Sequence, residues 1–179
     1  MVGYVAYSAF GRLRTGQAPT QVNVLVLAVA TQAPDLVDKP LAWQFGVLNS
    51  GVSAAHSLLV GVPIAVLLGV GLRQRGYPGT GAAVVLGQVT HVLGDLLFGG
   101  LFGSLPLLPS FLWPLEATAN STSSGFVGNV WQLLLDSQAL LVTTKGQLYL
   151  LFEAVLLVVT AGLWLYDGLP GLGRWLRTS

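Results

Sequence analysis

The chain has 179 residues, of which 53% are apolar and only 8% are charged. Soluble domains carry about 25% charged residues, so this composition indicates a surface that faces lipid rather than water. A net charge of +1 gives no sign of a nucleic-acid partner, and the absence of cysteine excludes disulfides, thiolate metal sites and cysteine nucleophiles.

Four apolar stretches predict membrane-embedded helices. The first, residues 22–33, is shorter than a normal span and predicts a half-span or a tilted helix inside the bundle. The other three cover residues 54–72, 81–102 and 147–166, and each is close to the roughly 20 residues that a span requires.

Two further segments complete the predicted fold. Glycines and prolines interrupt residues 103–115, which predicts an irregular apolar segment at the membrane interface. Residues 130–144 fit either an interfacial amphipathic helix or a marginal span. We therefore predict an all-α, polytopic integral membrane helix bundle with about 4–6 membrane-embedded helices. It is expected to form a single membrane-embedded domain over residues 1–179, with a motif-bearing part at 1–116 and C-terminal helices at 126–179.

The basic residues predict an orientation, because cytoplasmic loops carry an excess of arginine and lysine. Six arginines fall at three turns or ends: Arg12, Arg14, Arg73, Arg75, Arg174 and Arg177. With these six inside, the segments at 35–49 and around 120 face outside, while Lys39 and Lys145 count against the scheme. The prediction is a multi-pass protein of the cell membrane.

A pair of carboxylates follows the first apolar stretch. Asp35 and Asp38 lie between Pro34 and Pro40, and a spacing of three places both on one face if the segment is helical. Paired carboxylates suit a divalent cation or acid–base work. The alternative is a helix-ending turn in which Asp38 pairs with Lys39.

Both histidines of the chain lie in or beside apolar stretches. His56 stands near the outer start of the stretch 54–72, whereas His91 and Asp95 lie four apart within a predicted span. Four residues make one helical turn, so His91 and Asp95 share a face. An ionisable residue inside a span costs about 2.5–3.5 kcal/mol on insertion scales. The pair therefore serves either as a lock within the bundle or as part of a site.

In the predicted orientation all of these groups converge near the outer membrane face. Imidazoles and carboxylates without thiolates suit a divalent metal, with zinc first and manganese or iron as alternatives. One carboxylate, Asp38 or Asp95, is expected to act as general base. Glu153, in a later span, either completes the site or pairs with Lys145. The predicted metal ligands are Asp35, Asp38, His56, His91 and Asp95.

Four short motifs occur in order along roughly residues 1–116: Pro34-Asp35-Leu36-Val37-Asp38, His56-Ser57, His91-Val92-Leu93-Gly94-Asp95 and Leu112-Trp113-Pro114-Leu115. In this order they resemble the membrane-bound metal-dependent hydrolases, particularly the haloarchaeal branch. The resemblance implies hydrolysis by a metal-activated water. The expected partners are the lipid bilayer and a membrane-associated or outer-face substrate, with no nucleic acid.

One element of the family pattern is absent. The family carries an early histidine in its first helix, and here it would fall a few residues before Met1. A start placed too late in the gene is the expected explanation. Genuine loss, with Tyr4, Tyr7 or Glu153 in its place, is the alternative.

Two other functions use the same residues. A transporter or ion-conducting protein relays protons or cations through intramembrane histidine and aspartate. A structural membrane subunit uses them only to lock helices together. The hydrolase is the main hypothesis, and metal analysis separates it from the structural subunit.

Overall fold

A computed structural model describes residues 1–101, 105–116 and 124–172. These residues form six α-helices and one 3₁₀ segment, and they contain no strand, which confirms the all-α prediction for this part of the chain. The elements are α1 (Val2–Thr15), α2 (Gln21–Trp43), α3 (Gly61–Gln74), α4 (Pro78–Leu101), a 3₁₀ helix (Leu105–Leu112), α5 (Gly125–Leu141) and α6 (Thr144–Tyr166).

Two of the described helices are long and apolar enough to cross a membrane. They are Pro78–Phe98 within α4 and the whole of α6, while α3 is apolar but has only 14 residues. This is fewer than the predicted four to six membrane-embedded helices. Helix α5, which covers most of the ambiguous segment 130–144, is not one of the two.

Two predicted boundaries were wrong. The stretch 54–72 was expected to be helical from its start, but α3 begins at Gly61 because turns precede it. Conversely, α2 does not end near residue 33 and continues to Trp43 with Pro34 and Pro40 inside it. A proline in a helix interior costs about 3 kcal/mol, but its fixed φ is helical, so a helix held by its surroundings continues through it.

The described residues fall into two compact units, and whether they form one domain stays a prediction. The first unit contains Met1–Gln32, Ile64–His91 and the described part of Val155–Ser179. Its core consists of Tyr4, Tyr7, Leu27 and Ala83. Helices α3 and α4 approach closely through glycine, since a Cβ on Gly81 would clash with the carbonyl oxygen of Gly69.

A buried carboxylate joins the end of α6 to α1 within this first unit. The side chain of Asp167 is fully buried. Its Oδ2 accepts hydrogen bonds from the Tyr4 hydroxyl at 2.7 Å and the Ser8 hydroxyl at 2.6 Å. Its Oδ1 accepts one from Arg12 Nε at 3.0 Å. We call these four residues the Asp167 clasp. Burial raises the pKa of Asp167, but the three partners more than offset this and hold it below its ordinary value.

We expect Asp167→Asn to lower the free energy of unfolding by about 2 kcal/mol at pH 7. The amide of asparagine has only one acceptor oxygen, and its own N–H groups would face the groups of Tyr4, Ser8 and Arg12 that donate to Asp167. A lowered pKa means that the clasp is complete above the ordinary value of 3.8 and is lost as the pH falls. The difference between wild type and variant should therefore shrink below pH 4. Thermal unfolding in detergent at both pH values measures it. Asp136→Asn, at an exposed position on α5, is the control.

The second unit contains Ala33–Pro63 and the described part of Val92–Ala154. Within it, the loop between α2 and α3 packs on the segment that follows α4. The buried Ser57 hydroxyl donates to the Trp113 carbonyl oxygen at 2.6 Å, and the Leu58 amide donates to the Phe111 carbonyl oxygen at 2.9 Å. Ser57 also accepts a hydrogen bond from the Leu59 amide at 3.0 Å. These bonds hold the loop beside the first turn of α3.

Candidate metal centre

The loop before α3 is built around one carboxylate of α2. Asp38 is fully buried and accepts backbone hydrogen bonds from Ser53 at 2.8 Å, Ala55 at 2.9 Å and His56 at 3.1 Å. Burying a carboxylate is costly unless its oxygens are satisfied. Here the chain folds its amides onto the oxygens, which explains why residues 54–60 form turns instead of extending the helix.

The same carboxylate orients the His56 ring, which is fully buried. His56 Nδ1 lies 2.8 Å from Asp38 Oδ2. Because an ionised carboxylate only accepts, Nδ1 carries the proton and donates it. His56 Nε2 then faces two other carboxylates, with Asp35 Oδ1 at 3.3 Å and Asp95 Oδ2 at 3.4 Å. The ring is fixed with its second nitrogen directed into a cluster of negative charge.

Electrostatics show that this cluster attracts positive charge. Desolvation lowers the pKa of His56, but hydrogen bonds with Asp35, Asp38 and Asp95 outweigh it and raise the pKa to about 10. Burial raises the pKa of Asp38, and its bonds from His56, Ala55 and Ser53 lower it below the ordinary value. Three carboxylates around one imidazole thus favour a cation at Nε2, either a proton or a metal ion.

The geometry fits a metal ion. Asp35, His56, His91 and Asp95 each offer one ligand atom, and these atoms all lie within 4.8 Å of one another. His91 and Asp95 are one turn apart on the unbroken helix α4. Ligand bonds of about 2.0–2.1 Å in a tetrahedron place neighbouring donor atoms roughly 3.3 Å apart. The two distances from His56 Nε2 agree with that spacing, and imidazole and carboxylate groups are suitable ligands for a divalent metal ion.

The structure thus brings together four of the five residues predicted as ligands and places the fifth, Asp38, behind the His56 ring. The Lys39 ammonium pairs with Asp35 Oδ2 at 2.7 Å and not with Asp38, the partner in the alternative interpretation of this segment. The i,i+4 spacing of Asp35 and Lys39 was the signal for that pair. The contribution of Ser53 through its backbone amide had no signal in the sequence.

Glu153 takes part in a different contact. It forms a side-chain hydrogen bond with Tyr149, one turn earlier on α6. The Tyr149 ring packs edge-on against Phe98 with centroids 4.8 Å apart. Phe98 lies one turn beyond Asp95 on α4, so this face of α6 packs near the carboxylate end of the site. Tyr149 belongs to none of the sequence motifs.

Comparison with known proteins assigns the chain to a family. A profile of the YdjM inner membrane protein family matches residues 1–169. The chain belongs to the YdjM inner membrane protein family. The match includes every predicted ligand and both α5 and α6, and it identifies the chain as a membrane protein. No curated protein and no solved structure gives a significant match.

Proposed function

We propose that this YdjM family member is a membrane-bound metal-dependent hydrolase. The observation that carries the proposal is the His56 ring, which Asp38 fixes so that Nε2 faces Asp35 and Asp95. A carboxylate behind a histidine ring is the usual second partner of a metal-binding imidazole. A lock between helices needs no such convergence of one nitrogen on two further carboxylates.

Each residue has a distinct proposed role. Asp35, His56 and His91 bind the ion, since two imidazoles and one carboxylate with an open position are typical of hydrolytic zinc sites. Asp95 is the general base, because its side chain is 41% exposed against 28% for Asp35 and so meets water more readily. Asp38 orients His56 and is not a ligand, because N–H donors already occupy its oxygens.

The chemistry follows from these roles. A bound divalent ion supplies a Lewis acid and lowers the pKa of water at the site. Asp95 accepts a proton from the attacking water as the water oxygen bonds to the electrophilic atom of the substrate. The ester bond then breaks, and Asp95 returns the proton to the leaving oxygen.

The predicted orientation places this site at the outer face. Arginines precede the N-terminal ends of α2 and α4, while the carboxylates and His91 lie toward the other ends of these helices. We further propose that residues 22–33 of α2 and the whole of α3 are membrane-embedded. Large apolar side chains exposed on both support this: Val22, Leu25, Val29, Ile64, Leu67 and Leu68.

Metal content and hydrolysis test the proposal together. Protein purified in detergent and dialysed against zinc, manganese or iron should retain about one ion per chain. Removing the ion with a chelator should abolish hydrolysis of chromogenic esters, and adding it back should restore hydrolysis. A folded protein that retains no ion would support the structural subunit instead. Retained metal with ion flux in liposomes and no hydrolysis would support the transporter.

A further inference from the structure

Lys39 lies at the rim of the metal centre. Its ammonium is 2.7 Å from Asp35 Oδ2, while Asp35 Oδ1 faces His56 Nε2 at 3.3 Å. One carboxylate therefore links the lysine to the nitrogen that faces the ion site. The Lys39 side chain is 29% exposed, so its ammonium also meets the surroundings of the site.

An aromatic ring keeps the ammonium in this place. Lys39 Nζ lies 5.8 Å from the centroid of the Trp43 ring, within the range of a cation–π contact. Trp43 itself is held between Gly51 and Phe126. A Cβ on Gly51 would lie 3.0 Å from the Trp43 ring, and the Phe126 ring centroid is 5.9 Å away. The lysine is thus positioned by two neighbours on its own helix.

The ammonium has donors left for a ligand. It carries three N–H groups, of which Asp35 accepts one. A divalent ion at the site would satisfy the charge of Asp35 from its other oxygen. The positive charge of Lys39 would then be available to a negatively charged substrate beside the ion. A lysine ammonium is a common point-charge binder of phosphate oxygens, whereas a neutral ester offers it no anion.

The site lies on segments that also carry exposed apolar side chains. The segments that carry Asp35, His56 and Asp95 also expose large aliphatic side chains: Leu36, Val37, Leu58, Leu59, Leu93 and Leu97. Exposed aliphatic side chains suit contact with lipid, so a substrate that reaches this site from the bilayer would keep its apolar part in lipid while its head meets one fixed cation. That combination suits a molecule with a charged head and a hydrocarbon tail.

We propose that Lys39 binds a phosphoryl oxygen and that the substrate is a phosphate ester with an apolar tail. This inference rests on the proposed metal-dependent hydrolase. Lys39 determines specificity for the anionic head, and the apolar tail of the substrate stays in the bilayer. A cation at this position favours phosphate esters over carboxylic esters and amides, because only the phosphate carries a negative charge before reaction.

The test compares Lys39→Gln and Lys39→Arg with wild type and with Lys145→Gln. Lys145 is the matched control, since it is an exposed lysine at the start of α6 in the same unit. Zinc binding is measured first by titration calorimetry on the full chain in detergent. Lys39→Gln should bind zinc several-fold more tightly than wild type, because Asp35 loses a competing cation. A gain in zinc affinity also shows that the variant is folded.

Inorganic phosphate is then titrated into the zinc-loaded proteins. Lys39→Gln should lose about tenfold in phosphate affinity, while Lys39→Arg and Lys145→Gln should stay within about twofold of wild type. Phosphatidate in phosphatidylcholine vesicles should compete with phosphate at lower concentration than glycerol 3-phosphate does. Equal potency of phosphatidate and glycerol 3-phosphate would overturn the proposal that the substrate has an apolar tail.

The possible failures are distinguishable. If the wild-type protein binds no zinc, the proposed hydrolase is wrong and the role of Lys39 is wrong with it. If zinc binds normally and Lys39→Gln keeps the phosphate affinity of wild type, only the inference about Lys39 is overturned. A weaker zinc affinity in Lys39→Gln would likewise contradict it, since it would show that the lysine merely supports the site.

Discussion

His91→Ala is expected to abolish metal retention and leave the protein in the membrane. The substitution removes one of two imidazoles from a group whose ligand atoms lie within 4.8 Å of one another. Loss of a direct ligand should weaken zinc binding by more than about 100-fold, since even partners behind a ligand are worth 10- to 100-fold. Insertion should be unaffected or easier, because alanine replaces a polar group within an apolar helix.

Leu93→Ala is the matched control for this experiment. Leu93 lies two residues further along α4 and exposes 45% of its surface, so its truncation removes apolar contact area only. Membrane fractionation measures insertion, and metal analysis of the purified, dialysed protein measures retention. Equal metal content in wild type and His91→Ala would refute the assignment of His91 as a ligand.

Much of this site was recognisable because charge is rare in the chain. With 8% charged residues, each ionisable group inside an apolar stretch stands out. The helical repeat then places His91 and Asp95 on one face without further information. The spacing of Asp35 and Asp38 similarly predicts a shared face of α2, and both carboxylates do face the His56 ring.

The different environments of those two carboxylates were not predictable. Asp38 is fully buried, whereas Asp35 is partly exposed and pairs with Lys39. The difference arises from the backbone amides of Ser53, Ala55 and His56, which fold onto Asp38 from outside its helix. Sequence spacing describes positions on one helix and carries no information about which position another segment will cover.

The predicted helix boundaries were wrong for a related reason. Residues 54–60 are as apolar as a helix in lipid would be, but their backbone amides bond to Asp38 and to the Ser57 hydroxyl. Apolarity indicates that a segment avoids water and says nothing about which acceptor satisfies its backbone. The continuation of α2 through Pro34 and Pro40 likewise depends on tertiary contacts that local propensity does not contain.

Asp38→Asn and Asp35→Asn should separate the orienting carboxylate from the ligand carboxylate. In Asp38→Asn, one carbonyl oxygen replaces two carboxylate oxygens, and an amide N–H₂ group faces the backbone N–H groups and His56 Nδ1. Each buried donor left without an acceptor costs about 1–3 kcal/mol. We expect a loss of about 3 kcal/mol in the free energy of unfolding and a 10- to 100-fold loss in zinc affinity because His56 is no longer fixed.

Asp35→Asn should weaken zinc binding without destabilising the fold. The variant loses a direct ligand, but its ion pair with Lys39 is partly exposed and contributes about 0–1 kcal/mol. The side-chain oxygen of asparagine can still accept a hydrogen bond from His56 Nε2, so the buried ring keeps a partner at that nitrogen. Thermal unfolding of the metal-free proteins, followed by zinc titration, gives both quantities for each variant. Loss of zinc affinity in Asp35→Asn at unchanged stability, beside loss of both in Asp38→Asn, supports the assigned roles. The reverse pattern would make Asp38 the ligand and Asp35 the structural residue.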